Sequence, residues 1–436
     1  MTTVATSNTN SEFLLPHAST WPLREKWAGT RAGSRGHTVN VTTAVTSTVP
    51  NAISSASHSE KERGTDAATA AVSASIRVPD RANEPFRRFP SAGSTSHTVT
   101  SKAMHTRIDN LEARSIEVSE YEAFYRTTCT AFGEEPKPTA MEAEKPSVEF
   151  DRTLAVFDRG LPVATTAMLT MDVVVPGGHR LPLGGLSWVG TMPGYTRRGL
   201  LTGLVQAQLQ DMLQREEPVG GLWASESTIY GRFGFGVATW SIGLTLPRAH
   251  ARLRLNTDSN TDSNPHSNAD RSVGLLTTES ALDILPPLYD RFARGDVGSL
   301  GRNEGWWRVH LADIEEHRDG GGPLYHAVHR DAKGNLDGYV SYRITVKWEK
   351  GYPGNSLEVV QLVAGSLETT CALWRHCFDL SLIETIMASS RPVDEPLRWM
   401  IHDARRLQIT RLSDALWLRI LDTVRCLEAR SYATSG

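Results

Sequence analysis

Between Trp188 and Glu216 the chain reads WVGTMPGYTRRGLLTGLVQAQLQDMLQRE. It enters as an apolar strand, passes through Arg197-Arg198-Gly199, and runs on as a helix to about Arg215. A corner that only reversed the chain would carry Asn-Gly or Pro-Asp. The apolar strand VGGLWAS follows, so strand, loop, helix and strand succeed one another and the helix must cross over a sheet. Leu201, Val205, Leu209, Met212 and Leu213 form a stripe for the core, with the glutamines opposite.

Upstream, VSEYEAFYRTTCTAFG has apolar and aromatic positions at helical spacing. The next stretch, RTLAVFDRGLPVATTAMLTMDVVVPGGHRLPLGGLSWVGTM, alternates as three strands with turns at Asp158-Arg159-Gly160 and Pro176-Gly177-Gly178. The expected class is α+β, a mixed sheet with a crossover helix over residues 105–255. Residues 256–271, NTDSNTDSNPHSNADR, read as a polar linker.

Over residues 272–400 the architecture starts again. Helix-like ALDILPPLYDRFARG precedes the strands PLYHAVHRD, LDGYVSYRITVKW and LEVVQLVAG, then the helix SLETTCALWRHCFDLS. The turn before that helix is Ala364-Gly365-Ser366-Leu367, without Arg-Arg-Gly, which predicts a second copy lacking the anion loop. Residues 401–436 read as the start of a third unit, with LSDALWLRILD strand-like and Leu416, Trp417 and Leu418 left exposed. Residues 1–104 are rich in Ser, Thr and Ala without helical or strand period, and read as a disordered extension ahead of Met104.

The 436 residues, 39% of them apolar, suit two or three folded domains. A net charge of −3 argues against a nucleic-acid binder, which needs a basic excess to displace phosphate counterions. No apolar run approaches the roughly 18 residues of a membrane span. Cys129, Cys371, Cys377 and Cys426 lack C-x-x-C spacing and read as reduced core residues of a cytoplasmic protein without a metal site.

The chemistry concentrates at two places. A helix start presents unpaired N–H groups and partial positive charge, and Gly199 lets a diphosphate approach the backbone. Arg197 and Arg198 add fork-shaped donors, and Val189, Gly190 and Thr191 offer backbone groups to an amide-bearing arm. Coenzyme A has both features. A solvated corner is the alternative reading of Arg-Arg-Gly. The second place is LWASESTIYGRFGFG, where Ser225 and Glu226 end a strand and Tyr230 follows among glycines. A tyrosine hydroxyl stays protonated at neutral pH and can donate to a leaving thiolate; a tethered core tyrosine is the alternative.

Taken together, LSWVGTMPGYTRRGLL and WASESTIYGRFGFGVAT resemble the cofactor and active-site motifs of the Eis-type (enhanced intracellular survival) acetyltransferases, within the GCN5-related N-acetyltransferase superfamily. Further echoes are FGEEPKPTAMEAEKPSVEFDRTLAVFD, DEPLRWMIHDAR and ALWLRILDTVRCLEARSYA. The resemblance implies tandem acetyltransferase units, the second without a cofactor site, followed by a sterol-carrier-like domain of which this chain would hold only the beginning. It implies acetyl-CoA as acyl donor, small-molecule or protein amines as acceptors, and a homo-hexamer.

Carried over by position, Val189, Gly190 and Thr191 would pair with the pantetheine. Arg197, Arg198, Gly199, Leu200, Leu201 and Thr202 would hold the pyrophosphate. Ser225 and Glu226 would line the cofactor cleft, Tyr230 would be the general acid, and Trp188 would face the acceptor. The family's general base is a C-terminal carboxylate, and no residue here is given that role. Glu134 and Glu135 could attract a cationic acceptor, or be exposed helix-end carboxylates. Two further readings share the cofactor site: an acyl-CoA-binding, catalytically impaired remnant, and a protein-lysine acetyltransferase.

Overall fold

The computed structural model describes residues 105–254 and 272–432. The extension expected over 1–104 and the linker expected over 256–271 lie outside the described residues.

The first half opens with a hairpin that the periodicity did not signal, β1 (His105–Ile108) and β2 (Leu111–Arg114), turning through Asp109 and Asn110 at φ 52° and 63°. Helix α1 (Tyr121–Phe132) buries Tyr121, Phe124, Tyr125 and Cys129 and stops at Gly133, φ 74°, whose N–H returns to Cys129 and Thr130 carbonyls. This is the left-handed terminus for which glycine is suited. Helix α2 (Pro138–Glu144) follows. Strands β3 (Thr153–Asp158), β4 (Leu161–Val174) and β5 (Arg180–Thr191) form the expected antiparallel meander. Helix α3 (Leu200–Gln214) crosses to β6 (Val219–Trp223), which pairs parallel with β5. Then come the single turn α4 (Ser227–Tyr230), β7 (Gly236–Val237) and β8 (Trp240–Pro247).

The second half contains β9 (Val273–Leu275), α5 (Thr278–Phe292) and α6 (Glu304–Ala312). Strands β10 (Leu324–Arg330) and β11 (Leu336–Thr345) precede the small hairpin β12 (Trp348–Glu349) and β13 (Tyr352–Pro353). Strand β14 (Asn355–Ala364), helix α7 (Leu367–Asp379) and strand β15 (Ile383–Pro392) repeat the strand–crossover–strand unit. Last come α8 (Leu397–Met400), β16 (Gln408–Asp414), β17 (Leu416–Ile420) and α9 (Thr423–Glu428).

Two mixed sheets result, in the orders β1-β2-β3-β4-β5-β6-β17-β7 and β16-β8-β15-β14-β11-β10-β9. The division expected at 255 and 400 is crossed twice. Strand β8, from the first half, pairs with β15 and β16 in the second sheet. Strand β17, from the expected third unit, inserts between β6 and β7 in the first. The apolar surface expected at the end of the chain is therefore covered: Leu416 and Trp417 are 2% and 8% exposed, and Leu418 is half-buried. Paired on both edges, β17 places these side chains among the cores of the first sheet, where burial outweighs the cost of ordering the segment.

The stripe on α3 also differs from expectation. Leu200, Leu204, Val205, Leu209 and Met212 are buried, whereas Leu213 is exposed. Gln208 points inward, its amide donating to the Arg152 carbonyl and Thr166 Oγ1, both at 3.2 Å. Beneath it the buried Arg152 guanidinium forks onto Glu217, with 2.7 Å contacts to both carboxylate oxygens. Gln208 is accommodated because a polar network lies under α3 at that height, which hydrophobic periodicity does not reveal. Close approach of α3 depends on Gly184 in β5, where a Cβ would fall 2.8 Å from Met212 Cγ.

Candidate functional site

Strands β5 and β6 pair only over Leu183–Gly185 and Val219–Gly221. Beyond that point β5 continues to Thr191 along β4 but without β6, which ends at Trp223, so the two strands part. The opening is widened by a bulge. Thr165 pairs with Gly190 and Ala167 with Ser187, which leaves Trp188 and Val189 opposite Thr166. Trp188 takes φ 47°, a left-handed value costly for a bulky side chain, and its carbonyl accepts Thr165 Oγ1 at 3.0 Å.

A cleft of about 770 Å³ occupies this opening. Its walls include Val189, Gly190 and Thr191 from β5, Arg197 and Gly199 to Thr202 around the mouth of α3, and Ser225, Glu226 and Tyr230 from β6–α4. These segments, assigned from separate stretches of sequence, meet at one site. Helix α3 starts at Gly199, φ 78°, with no side-chain cap, so its first amides are not satisfied by a neighbouring side chain. The second half differs at this point. Ser366 caps α7 by accepting the Thr369 N–H at 3.1 Å, and a Cβ on Gly365 would fall 2.6 Å from the Phe292 ring. The second helix start thus carries its own side-chain cap where the first has none, which gives the missing Arg-Arg-Gly a structural counterpart.

Tyr230 is buried in a cluster with Phe233, Phe235 and Trp417, and it meets Phe235 edge-on at 6.3 Å between ring centroids. Burial, with the Glu226 carboxylate adding, pushes its hydroxyl up to about 12. It is protonated at any physiological pH and faces the cleft with no hydrogen-bond partner among the described residues. Glu226 is the one carboxylate in the lining among the described residues.

Two assigned residues are elsewhere. Trp188 is 1% exposed and packs in the core beneath α1 with Phe124 and Tyr125, because the bulge turns its ring away from the cleft. It does not face an acceptor. Arg198 does not line the cleft. Its Nε donates to Asp109 Oδ2 at 2.7 Å, in the turn of the unexpected β1–β2 hairpin, and its guanidinium lies 5.1 Å from the Tyr195 ring centroid. Tyr195 donates to Asp158 Oδ2 at 2.6 Å, so the loop before α3 is tied to two strand turns.

The lining also holds Ala131, Phe132, Tyr195, Thr196, Ile229 and Arg232, which the sequence reading did not assign. Ala131 and Phe132 come from the far end of α1, and only the tertiary fold brings them here. Arg232 lay inside the quoted active-site motif without a helix start to mark it. All four cysteines are buried and unpaired. Among the described residues no helix is long and apolar enough to cross a membrane.

The acetyltransferase (GNAT) domain family matches residues 112–238, and a second acetyltransferase (GNAT) domain family matches 298–420. An uncharacterised N-acetyltransferase of Streptomyces coelicolor is 32% identical over 327 residues, 74% of this chain and 76% of that protein. The N-acetyltransferase Eis of Mycobacterium tuberculosis is 31% identical over 300 residues, 68% and 70% of the two chains. The crystal structure of Eis1 from Mycobacterium abscessus superposes with a TM-score of 0.61 at 31% identity, covering 74% of this chain and 77% of that one. With two acetyltransferase domains in tandem and an open cleft in the first, this acyltransferase belongs to the Eis-type N-acetyltransferases of the GNAT superfamily.

Proposed function

We propose that the protein transfers an acetyl group from acetyl-CoA to a primary amine by direct attack in the first-half cleft. The observation that carries this reading is the meeting of an uncapped helix start, a parted strand edge and a buried, protonated tyrosine in one cavity.

The pyrophosphate lies against the amides that open α3, with Arg197 supplying the charge. The pantetheine takes the place of the strand that β5 lacks beyond Gly185, pairing with backbone groups of Val189 to Thr191. Leu200, Leu201 and Thr202 shape the floor, and Ser225 closes the other wall. The neutral amine attacks the thioester carbon and forms the C–N bond. A backbone N–H at the bulge polarises the carbonyl oxygen. As the C–S bond breaks, Tyr230 gives its proton to the sulfur. The proton surrendered by the new amide nitrogen, relayed through solvent, restores the tyrosine. Holding both reactants in register supplies much of the acceleration.

An amine acceptor is favoured by Glu226. A carboxylate in a cleft for a polyanionic donor is unfavourable unless a cation approaches it, and an ammonium group does so before losing its proton. Assembly as a homo-hexamer belongs to the same reading, and sedimentation of the full chain tests it. The function is tested by following thiol release from acetyl-CoA with small polyamines and with lysine peptides as acceptors. Tight acetyl-CoA binding without release on any amine would instead support a catalytically impaired remnant.

A further inference from the structure

Basic side chains are concentrated at one place in the second sheet. Segments 248–254 and 397–411 hold seven arginines, two histidines and one carboxylate, Asp403, in a chain of net charge −3. The two segments lie side by side. Leu253 and Ile401 form an antiparallel bridge, and the N–H groups of Arg254 and His402 donate to the carbonyls of Met400 and Arg252, each at 2.7 Å. Leu253 and Ile401 pack into the core, so alternation turns Arg252, Arg254 and His402 outward, where all three are exposed. Arg405 and Arg406 are exposed on the turn that follows. Asp403 lies 3.7 Å from Arg406, while Arg252, Arg254, Arg398 and Arg405 have no carboxylate partner among the described residues.

Apolar side chains stand exposed in the same place. Helix α8 buries Leu397 and Met400 beside Ile242 and Leu244, and its Trp399 is turned to solvent, 75% exposed. On β16, the free edge of this sheet, Ile409 lies opposite Leu244 and Leu412 opposite Ile242, with Thr410 bulged between them. Both therefore emerge on the face that α8 packs against, yet they are 52% and 63% exposed.

The arginines call for an anionic partner, and the apolar side chains decide which. Single-stranded nucleic acid is held by aromatic faces that stack on its bases, and Ile409 and Leu412 offer none. A bilayer accepts both kinds of side chain: arginines at the phosphates, a tryptophan at headgroup level, aliphatic groups at the acyl boundary. We propose that this surface docks the protein reversibly on an anionic lipid membrane. The proposal is independent of the acetyl-transfer reading.

Flotation of the full chain with vesicles tests it, using phosphatidylcholine alone and an equal mixture with phosphatidylglycerol. The protein should bind the mixed vesicles at least about tenfold more tightly than the neutral ones, and salt should release it. Arg405→Glu combined with Arg406→Glu should weaken binding to the mixed vesicles by at least about tenfold. Trp399→Ala should weaken it severalfold, and that loss should persist at high salt. Arg126→Glu combined with Arg308→Glu, the same charge change on exposed positions of α1 and α6, should alter binding little. Unchanged urea midpoints would show that each variant is folded. Absence of binding, equal binding to both vesicles, or an equal loss from the two double reversals would overturn the proposal. A single-stranded RNA oligonucleotide, titrated in parallel, addresses the other anionic partner. RNA binding that is lost in the Arg405–Arg406 double variant, with the vesicles left unbound, would assign the surface to nucleic acid instead. Since no readout uses acetyl-CoA, any of these failures leaves the acyl-transfer reading untouched.

Discussion

Arg198 gives its guanidinium to Asp109 at 2.7 Å, while its neighbour Arg197, at φ 64°, turns into the cleft. Adjacent residues of one motif thus have separate tasks. Arg197→Ala should weaken acetyl-CoA binding by about 1.5–3 kcal/mol, the range for hydrogen bonds to charged groups. The Arg198–Asp109 pair is partly solvated, its side chains 40% and 37% exposed, and such pairs contribute less than about 1 kcal/mol. Arg198→Ala and Asp109→Ala should therefore cause similar, smaller losses, and the double variant should be no worse than either. Titration calorimetry decides. A larger loss for Arg198→Ala than for Arg197→Ala would reverse the two roles.

Tyr230 can serve as proton donor across a wide pH range because burial and Glu226 hold its hydroxyl near 12. Its proton is retained below that value, so the tyrosine imposes no alkaline loss of rate under about pH 10. The rise of kcat/KM with pH should instead follow deprotonation of the acceptor ammonium. Tyr230→Phe should lower kcat by about 10²–10⁴-fold, the usual worth of general acid catalysis, with acetyl-CoA affinity and the acidic limb unchanged. A wild-type decline centred near pH 8 or 9 would identify another group as the donor.

Much of the cleft was legible because its parts carry local signals. A strand that breaks into Arg-Arg-Gly and a helix, and a tyrosine set among glycines, each announce their geometry within a few residues. The repeat of the fold, and the loss of its second anion loop at Ala364–Leu367, could be read in the same way. Long-range pairing could not. Asp109 reaches Arg198 from a hairpin on the other side of α1, and β8 and β17 choose sheets to which their own sequences give no pointer. Alternation tells which face of a strand is apolar, not which neighbour it joins. The burial of Trp188 was missed for a related reason: a one-residue bulge reverses the faces of a strand, and nothing in the side-chain pattern marks it.

Trp417 illustrates what that long-range pairing contributes. Its ring packs in the cluster that holds Tyr230 and Phe235, and its indole N–H donates to Asp414 Oδ2 at 2.6 Å. Trp417→Ala should destabilise the protein by about 3–5 kcal/mol, as for other buried Trp truncations. It should also lower kcat, since the wall supporting the tyrosine would relax. Trp417→Phe, which keeps most of the volume, should lose far less of both. Urea unfolding with parallel turnover measurements tests this. A loss under 1 kcal/mol for the alanine variant would mean that β17 is only loosely attached.

Acid sensitivity should originate in the second half. His326 is 4% exposed, with Nδ1 2.8 Å from Ser341 Oγ. Burial lowers its pKa from 6.5 to about 4, Asp313 opposing and Arg343 assisting. The half-buried His310 is depressed in the same direction, chiefly by desolvation. The unfolded chain takes up protons at these rings below about pH 6.5 while the folded protein does not, so the unfolded state binds more protons and stability falls as pH falls. For His326 the loss accumulates between about pH 6.5 and 4 and totals on the order of 3 kcal/mol at 1.36 kcal/mol per pH unit. Below pH 4 the folded ring also titrates and its contribution levels off. His326→Gln removes the titrating group, so its stability should fall less steeply than wild type across that window, whatever its stability at neutral pH. Between pH 7.5 and pH 4 the urea unfolding midpoint should therefore shift in favour of the variant relative to wild type, and curves that stay parallel throughout would mean that His326 takes up its proton as readily in the folded protein as in the unfolded chain.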